Sequence, residues 1–205
     1  KRCLQPNNFE DIIDCNIHHF SDASQNGYGQ VSYIRLKSKT GEIHCSILIG
    51  KSLVAPLKYV TIPRMELVAA TLSVKVVNLM KKEMQIPCNK EVFWTDSEVV
   101  LGYVRNNAKR FKIFVVNRLE FIKENTLQSQ WSYVSSKENP ADYVSRGIGL
   151  SNDEKVERWF NGPRFLWETE EKWNKSPGEI FNVDPNDPKL KREDHVSYIS
   201  KTSVI

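Results

Sequence analysis

Residues 16–50, NIHHFSDASQNGYGQVSYIRLKSKTGEIHCSILIG, hold three strand signatures separated by two short turns. Asn16–Asp22 (NIHHFSD) is a short strand running into a turn of small residues. Gly27–Leu36 (GYGQVSYIRL) alternates apolar and polar side chains, the period of a half-buried strand. A polar turn, Lys37–Gly41, leads to Glu42–Gly50 (EIHCSILIG), whose end is almost continuously apolar. Strands joined by such short turns form an antiparallel meander.

Downstream the period changes to that of a helix. Pro63 suits a first helical position, and no further Pro or Gly interrupts the run to about Met84. Met65, Val68, Leu72, Val76 and Leu79 recur at three- and four-residue spacing and make one apolar face. Glu91–Thr95 (EVFWT) is a short buried strand ending on Asp96. Residues 97–105 are helical, with a break near Asn106 and Asn107, and residues 110–124 make a second amphipathic helix. Ser129–Val134 alternates as a last strand, and Asn139–Arg146 is a helical turn carrying Asp142. Strand–helix–strand units after a meander require right-handed crossovers, so the fold class is α/β: a mixed five-stranded sheet, three antiparallel strands then parallel ones, flanked by helices.

Three segments follow from this order. Residues 1–15 are mixed and polar and read as the end of a preceding module, and residues 16–147 are the folded domain. Residues 148–205 are an extension with a small helical piece and a linker. Ser151 and Glu154 make a capping-box pair, the helix they start should stop at Gly162-Pro163, and Trp159, Phe160, Phe165, Trp167 and Trp173 give it a packing cluster. Beyond Pro177 the chain is polar and reads as linker. There is no initiating Met, so the chain reads as a piece of something longer.

Composition bounds the rest. Of 205 residues, 40% are hydrophobic and 26% charged, enough of each for a globular core. The net charge of +4 permits a polyanionic partner without demanding one. No apolar run approaches the ~20 residues that span a bilayer, so no membrane partner is expected. Cys3, Cys15, Cys45 and Cys88 form no CxxC or CxxH pair and read as reduced cysteines.

The chemistry rests on four acids. Asp22 lies at the exit of the first strand and Asp96 at the exit of the fourth, where ligands collect in such sheets. Glu66 falls in the first turn of the long helix and Asp142 near the start of a late one. A bare cluster of carboxylates repels itself and raises its own pKa values; hard divalent cations with oxygen ligands relieve it. Two such ions can activate water and stabilise a leaving oxygen of a phosphodiester. Taken singly, each acid has a plainer role: Glu66 and Asp142 as complements to a helix dipole, Asp22 and Asp96 as turn residues.

Four motifs occur in order: SDAS-NGYG-V (Ser21–Val31), TIPRMELVAA (Thr61–Ala70), FWTDSEVVLGYV (Phe93–Val104) and W-YV-ENPADYVSRG (Trp131–Gly147). Together they resemble the ribonuclease H domain of BEL/Pao-type LTR retrotransposon polyproteins, from about Phe20 to Gly147. RWFNGPRFL (Arg158–Leu166) resembles the segment between ribonuclease H and integrase in those polyproteins. The resemblance implies a divalent-metal endonuclease that hydrolyses the RNA strand of RNA–DNA hybrids during reverse transcription. Its cofactors would be two Mg²⁺ or Mn²⁺ ions held by Asp22, Glu66, Asp96 and Asp142. Its partners would be the hybrid and the adjacent reverse transcriptase and integrase modules, with residues 1–15 the tail of a polymerase or connection region. Its location would be a cytoplasmic retroelement particle or the nucleus. One departure is that SSKENPA, before Asp142, lacks the His that many ribonucleases H carry there.

Hybrid recognition rests on phosphates and 2′-hydroxyls. The candidates are Ser24, Gln25 and Asn26 after the first acid, Arg64, Asn106 and Asn107, and the cluster Lys109, Arg110, Lys112 and Arg118. His18 and His19 read as strand filler, one of them pointing inward. The competing readings are a non-catalytic ribonuclease H-like module, a decayed copy, and an aspartic peptidase. The last lacks its Asp-Thr/Ser-Gly loop, since neither Asp22-Ala23-Ser24 nor Asp96-Ser97-Glu98 supplies the Gly.

Overall fold

The first three strands run further than their alternation suggested: β1 is Ile12–Ala23, β2 Gly27–Ser38 and β3 Ile43–Val54. The computed structural model describes residues 4, 6, 9, 11–83, 88, 90–106, 111–148 and 153–173. Helix α1 (Ile62–Glu83) is followed by β4 (Lys90–Thr95), α2 (Glu98–Arg105), α3 (Ile113–Asn125) and β5 (Trp131–Tyr133). Two short helices, α4 (Asp142–Arg146) and α5 (Asp153–Asn161), and the 3₁₀ turns Arg164–Trp167 and Glu170–Lys172 complete the described chain. The strand order is β3-β2-β1-β4-β5. The β1–β2 and β2–β3 pairs are antiparallel, while β1–β4 and β4–β5 are parallel. This is the expected mixed sheet. Among the described residues no helix is long and apolar enough to cross a membrane.

Both faces of the sheet are covered, and this decides the fate of the paired histidines. His18 and His19 point to opposite faces, yet both are buried, so the expectation that one points inward fails. His18 accepts from Trp94 Nε1 at 3.0 Å, and His19 Nδ1 meets Ser32 Oγ at 2.8 Å. Burial pushes the His19 imidazole down to about 3, with Lys81 adding to it, and burial likewise lowers His18 well below its ordinary value. Both are neutral core side chains.

On one face α1 packs with α2 and α3 around Leu67, Val74, Phe93, Leu101 and Trp131. The buried side of α1 is wider than the expected stripe: Met65, Leu72 and Val76 are buried as expected and Leu79 is exposed, while Ala69, Ala70, Ser73, Val77 and Met80 are buried as well. Small side chains let the helix lie close to the sheet, a choice that apolar spacing alone does not reveal.

The other face is closed by the chain after α4. Leu166, fully buried, and Trp173 join Phe20, Val31, Tyr33, Ile47 and Trp94 in one cluster, with Trp159 and Phe165 against it. Arg35, only 2% exposed, projects from β2 and donates to the Leu166 carbonyl at 2.8 Å and the Glu168 carbonyl at 2.9 Å. Its guanidinium also lies 5.2 Å from the Trp173 ring. A buried guanidinium without such acceptors would be costly. Residues 153–173 are therefore part of the domain's core and not a small appendage; Ser151 and everything after residue 173 lie outside the described residues.

At the other boundary, Phe9 and Cys15 are buried with Ile34 and Leu36, so part of residues 1–15 belongs to the domain as well. Asp14 beside a register shift hides the strand's alternation there. Cys15 and Cys88, with Cα atoms 4.7 Å apart, form a disulfide, which corrects the expectation of reduced cysteines at those two positions; Cys45 is free, and Cys3 lies outside the described residues. The strands bring together residues 73 positions apart, and a spacing rule cannot see that.

Leu166→Ala should destabilise the domain by about 2–5 kcal/mol, the cost of emptying a fully buried leucine site. Urea denaturation would measure it. A shift below about 0.5 kcal/mol would mean that the C-terminal segment is only loosely attached.

Candidate active site

Parallel pairing sets the first two acids side by side. Ser21 is in register with Thr95, the last paired residues of β1 and β4, so Asp22 and Asp96 follow directly on neighbouring strands. Adjacent strands lie about 4.8 Å apart. Asp22 is 7% exposed and Asp96 half-buried. Asp142 opens α4, on the face of the sheet that the C-terminal segment also covers. Glu66 comes from α1 on the opposite side, one residue past the first turn because the helix starts at Ile62, one residue earlier than expected.

Each carboxylate has its own donor. Ser145 Oγ donates to Asp22 Oδ2 in a short hydrogen bond. Ser97 Oγ donates to Glu66 Oε2 at 2.7 Å and accepts from Val100 N at 3.2 Å, so one side chain caps α2 and orients the glutamate. Asn139 Nδ2 donates to Asp96 Oδ1 at 3.3 Å and to the Ser21 carbonyl at 3.1 Å, bracing the β1–β4 exit. Arg146 Nε donates to Asp142 Oδ1 at 2.6 Å, an i,i+4 ion pair on the outer side of α4. None of Ser97, Asn139, Ser145 and Arg146 was a candidate from sequence, although all four lie within the quoted motifs.

Burial raises the Asp22 carboxyl to about 7; the Asp96 and Asp142 charges add to the rise, and the Ser145 and Ala23 donors oppose it. Three acids therefore sense one another. They are not gathered into a cage: among the described residues no group of three or more His, Cys, Asp or Glu is placed to hold a metal ion. The expected convergence of four carboxylates is not shown.

The candidate hybrid contacts divide. Ser24 is buried, and its hydroxyl donates to the Ser145 carbonyl at 2.8 Å while accepting from Asn26 N and Gly27 N; it organises the β1–β2 turn. Gln25 and Asn26 are exposed at the tip of that turn. Arg64 and Arg118 meet on one ring, with guanidinium carbons 5.2 Å and 3.6 Å from the Phe114 centroid. Arg118, Lys75 and Asn117 line a cleft of about 400 Å³ between α1, α3 and the β2–β3 end, with Tyr28 and Leu53 opposite. Lys112 is exposed at the N-terminus of α3. Asn106 is half-buried, and its carbonyl accepts from Lys123. Asn107, Lys109 and Arg110 lie outside the described residues.

A mixed sheet of this order with acids at the exits of its central parallel strands is a ribonuclease H-like arrangement. Residues 1–97 match the family described as Pao retrotransposon-like RNaseH-like domain, which bears out the motif resemblance over the part that carries Asp22, Glu66 and Asp96. Among solved structures, the chain is similar to the N-terminal RNase H domain of a Mycobacterium tuberculosis protein. The identity is 10%, the TM-score 0.40, and the match covers 71% of this chain and 95% of that one. It is also similar to LC11-RNase H1 in complex with an RNA/DNA hybrid, at 12% identity and TM-score 0.41, covering 64% and 93%. The prototype foamy virus protease–reverse transcriptase matches at 13% identity and TM-score 0.33, over 71% of this chain and 20% of that one. No curated protein matches. The fold assignment rests on strand order and pairing, not on these likenesses.

Asp22→Asn tests the electrostatics without metal. A carboxyl raised in the folded state destabilises it above the raised value. That cost fades as pH falls from about 7 toward the ordinary 3.8. Asp22→Asn should therefore raise the melting temperature above pH 7 by at least about 2–4 °C, the shift that ~1 kcal/mol gives at this size. The gain should shrink steadily toward pH 4. His18 and His19 act oppositely over part of this range, but both proteins carry them, so the difference isolates Asp22. Equal melting temperatures at pH 8 would show that Asp22 is not strained.

Proposed function

We propose that this domain is a divalent-metal-dependent endonuclease that hydrolyses the RNA strand of RNA–DNA hybrids during retrotransposon reverse transcription. The observation that carries the reading is the adjacency of Asp22 and Asp96 at the exits of β1 and β4, with the charge of Asp142 felt at Asp22. The donor set suits a hard dication: all are carboxylate oxygens, and Asp22 is held at a pKa of about 7 by burial and by neighbouring negative charge. Asp22, Glu66, Asp96 and Asp142 would hold two Mg²⁺ or Mn²⁺ ions. When bound, such ions supply a water nucleophile at neutral pH and charge for the leaving oxygen.

The chain's own residues do the rest. Ser97, Asn139 and Ser145 orient three of the acids. Arg146 balances Asp142 and would have to yield part of that contact. Lys75 and Arg118 along the α1–α3 cleft, and Lys112 exposed at the start of α3, offer cations for phosphates, and Gln25 and Asn26 offer polar contacts at the turn tip. Reverse transcriptase and integrase modules of the same polyprotein are the proposed neighbours, in a cytoplasmic particle or in the nucleus. A second reading, a hybrid-binding module without cleavage, is favoured by the Arg146–Asp142 ion pair.

Asp96→Asn keeps the size of the side chain and one acceptor but removes charge from the metal site. Cleavage of a labelled hybrid in Mg²⁺ should fall by at least ~10²-fold, with hybrid affinity nearly unchanged. Lys75→Ala with Lys112→Ala should instead weaken binding and flatten its salt dependence, leaving saturated turnover near that of the parent. If Asp96→Asn cut as well as the parent, the metal-nuclease assignment would fall. A parent that binds hybrid but never cuts it would favour the second reading.

A further inference from the structure

We infer that Ser145 is a positioning residue that fixes the first acid, Asp22, relative to the helix carrying the last, Asp142; this rests on the nuclease reading. Helix α4 has five residues, far too few to be stable alone, so tertiary contacts must place it. Two serines hold its last carbonyls: Ser52 Oγ donates to the Val144 carbonyl at 2.7 Å and Ser24 Oγ to the Ser145 carbonyl at 2.8 Å. Strand β2 is shaved to receive it. A Cβ on Gly29 would sit 2.2 Å from Val144 Cγ1, and one on Gly27 would sit 3.4 Å from the Ser145 carbonyl oxygen and 2.9 Å from that of Leu53.

Ser145 itself is 4% exposed. Its main chain is bound by Ser24, two residues after Asp22, and its hydroxyl donates to Asp22 Oδ2. It lies three residues after Asp142 in the same helix. One residue thus ties β1, the β1–β2 turn and α4 together and leaves Asp22 one preferred carboxylate orientation. The serine touches the acid and not the substrate, so its effect should appear in metal affinity more than in turnover.

The test is calorimetric titration of the whole chain with Mn²⁺ alone, beside hybrid cleavage. Ser145→Ala should weaken Mn²⁺ binding about 10-fold, as loss of a hydrogen bond to a metal ligand commonly does. The kcat at saturating Mn²⁺ and the KM for hybrid should stay within about threefold of the parent, since the ligand itself remains. Ser145→Thr, which keeps the hydroxyl, should restore the affinity. Ser52→Ala loosens α4 through a bond of similar kind without touching an acid, and should change Mn²⁺ affinity much less. Parental Mn²⁺ affinity in Ser145→Ala would overturn the inference, as would equal losses in Ser52→Ala and Ser145→Ala. A parent chain that neither binds Mn²⁺ nor cuts the hybrid would instead bring down the nuclease reading itself.

Discussion

Strand β1 is paired on both sides, antiparallel to β2 and parallel to β4, and the parallel register Ser21↔Thr95 governs what can be built at one end of the sheet. Because β4 runs with β1, the chain must return across the sheet between them, and α1 makes that return, bringing Glu66 on its way. The same register ends the β1–β4 pairing at Ser21 and Thr95, leaving Asp22 and Asp96 as neighbours. Helix α2 starts immediately afterwards, and its N-cap, Ser97, reaches Glu66. A one-residue slip in β1 would turn Asp22 to the opposite face, away from Ser145, and would exchange Phe20 for His19 in the aromatic cluster. The core and the acid at its edge are thus specified by one pairing.

That core is closed by residues far down the chain. Phe20, Tyr33 and Trp94 form an aromatic layer that α4 alone is too short to cover, and Phe165, Leu166 and Trp173 complete it. Arg35 reinforces the closure from within. It is a charge in the middle of a strand, and its acceptors are carbonyls of the irregular segment it fastens, with Asp14 at 3.9 Å contributing little. Because the two carbonyls sit in a segment of 3₁₀ turns, they have no ladder partners of their own, so donor and acceptors satisfy each other.

The strands, their order and the two main helices were legible because period and punctuation are local properties: GYGQVSYIRL alternates, and the run after Pro63 has no breaker. That Asp22 and Asp96 lie at one end of the sheet was legible because each closes a strand-like run. What escaped was non-local. Arg35 looks like an ordinary outward residue of a half-buried strand until a distant segment covers that face. Ser145, Asn139 and Ser97 look like polar filler, since a hydroxyl or amide acquires its role from what stands opposite it. Ser24 was misread for the same reason: its exposed turn neighbours suggested a contact surface, but its hydroxyl faces inward to α4. The paired histidines failed because alternation predicts one wet face, and at these two positions the sheet is covered on both.

Each of the four acids also has a donor of its own. Neighbouring carboxylates can reduce their repulsion by protonation, by spreading, or by neutral and cationic donors. Glu66 and Asp96 take neutral donors, Asp142 takes Arg146, and Asp22, the most buried, takes a hydroxyl and a raised pKa. The least relieved group is therefore the one at the centre, flanked by Asp96 and Asp142. The Arg146 guanidinium pairs with Asp142 on α4's exposed side. That contact is solvent-exposed at both ends and worth little by itself, so exchanging it for a doubly charged ion is energetically easy.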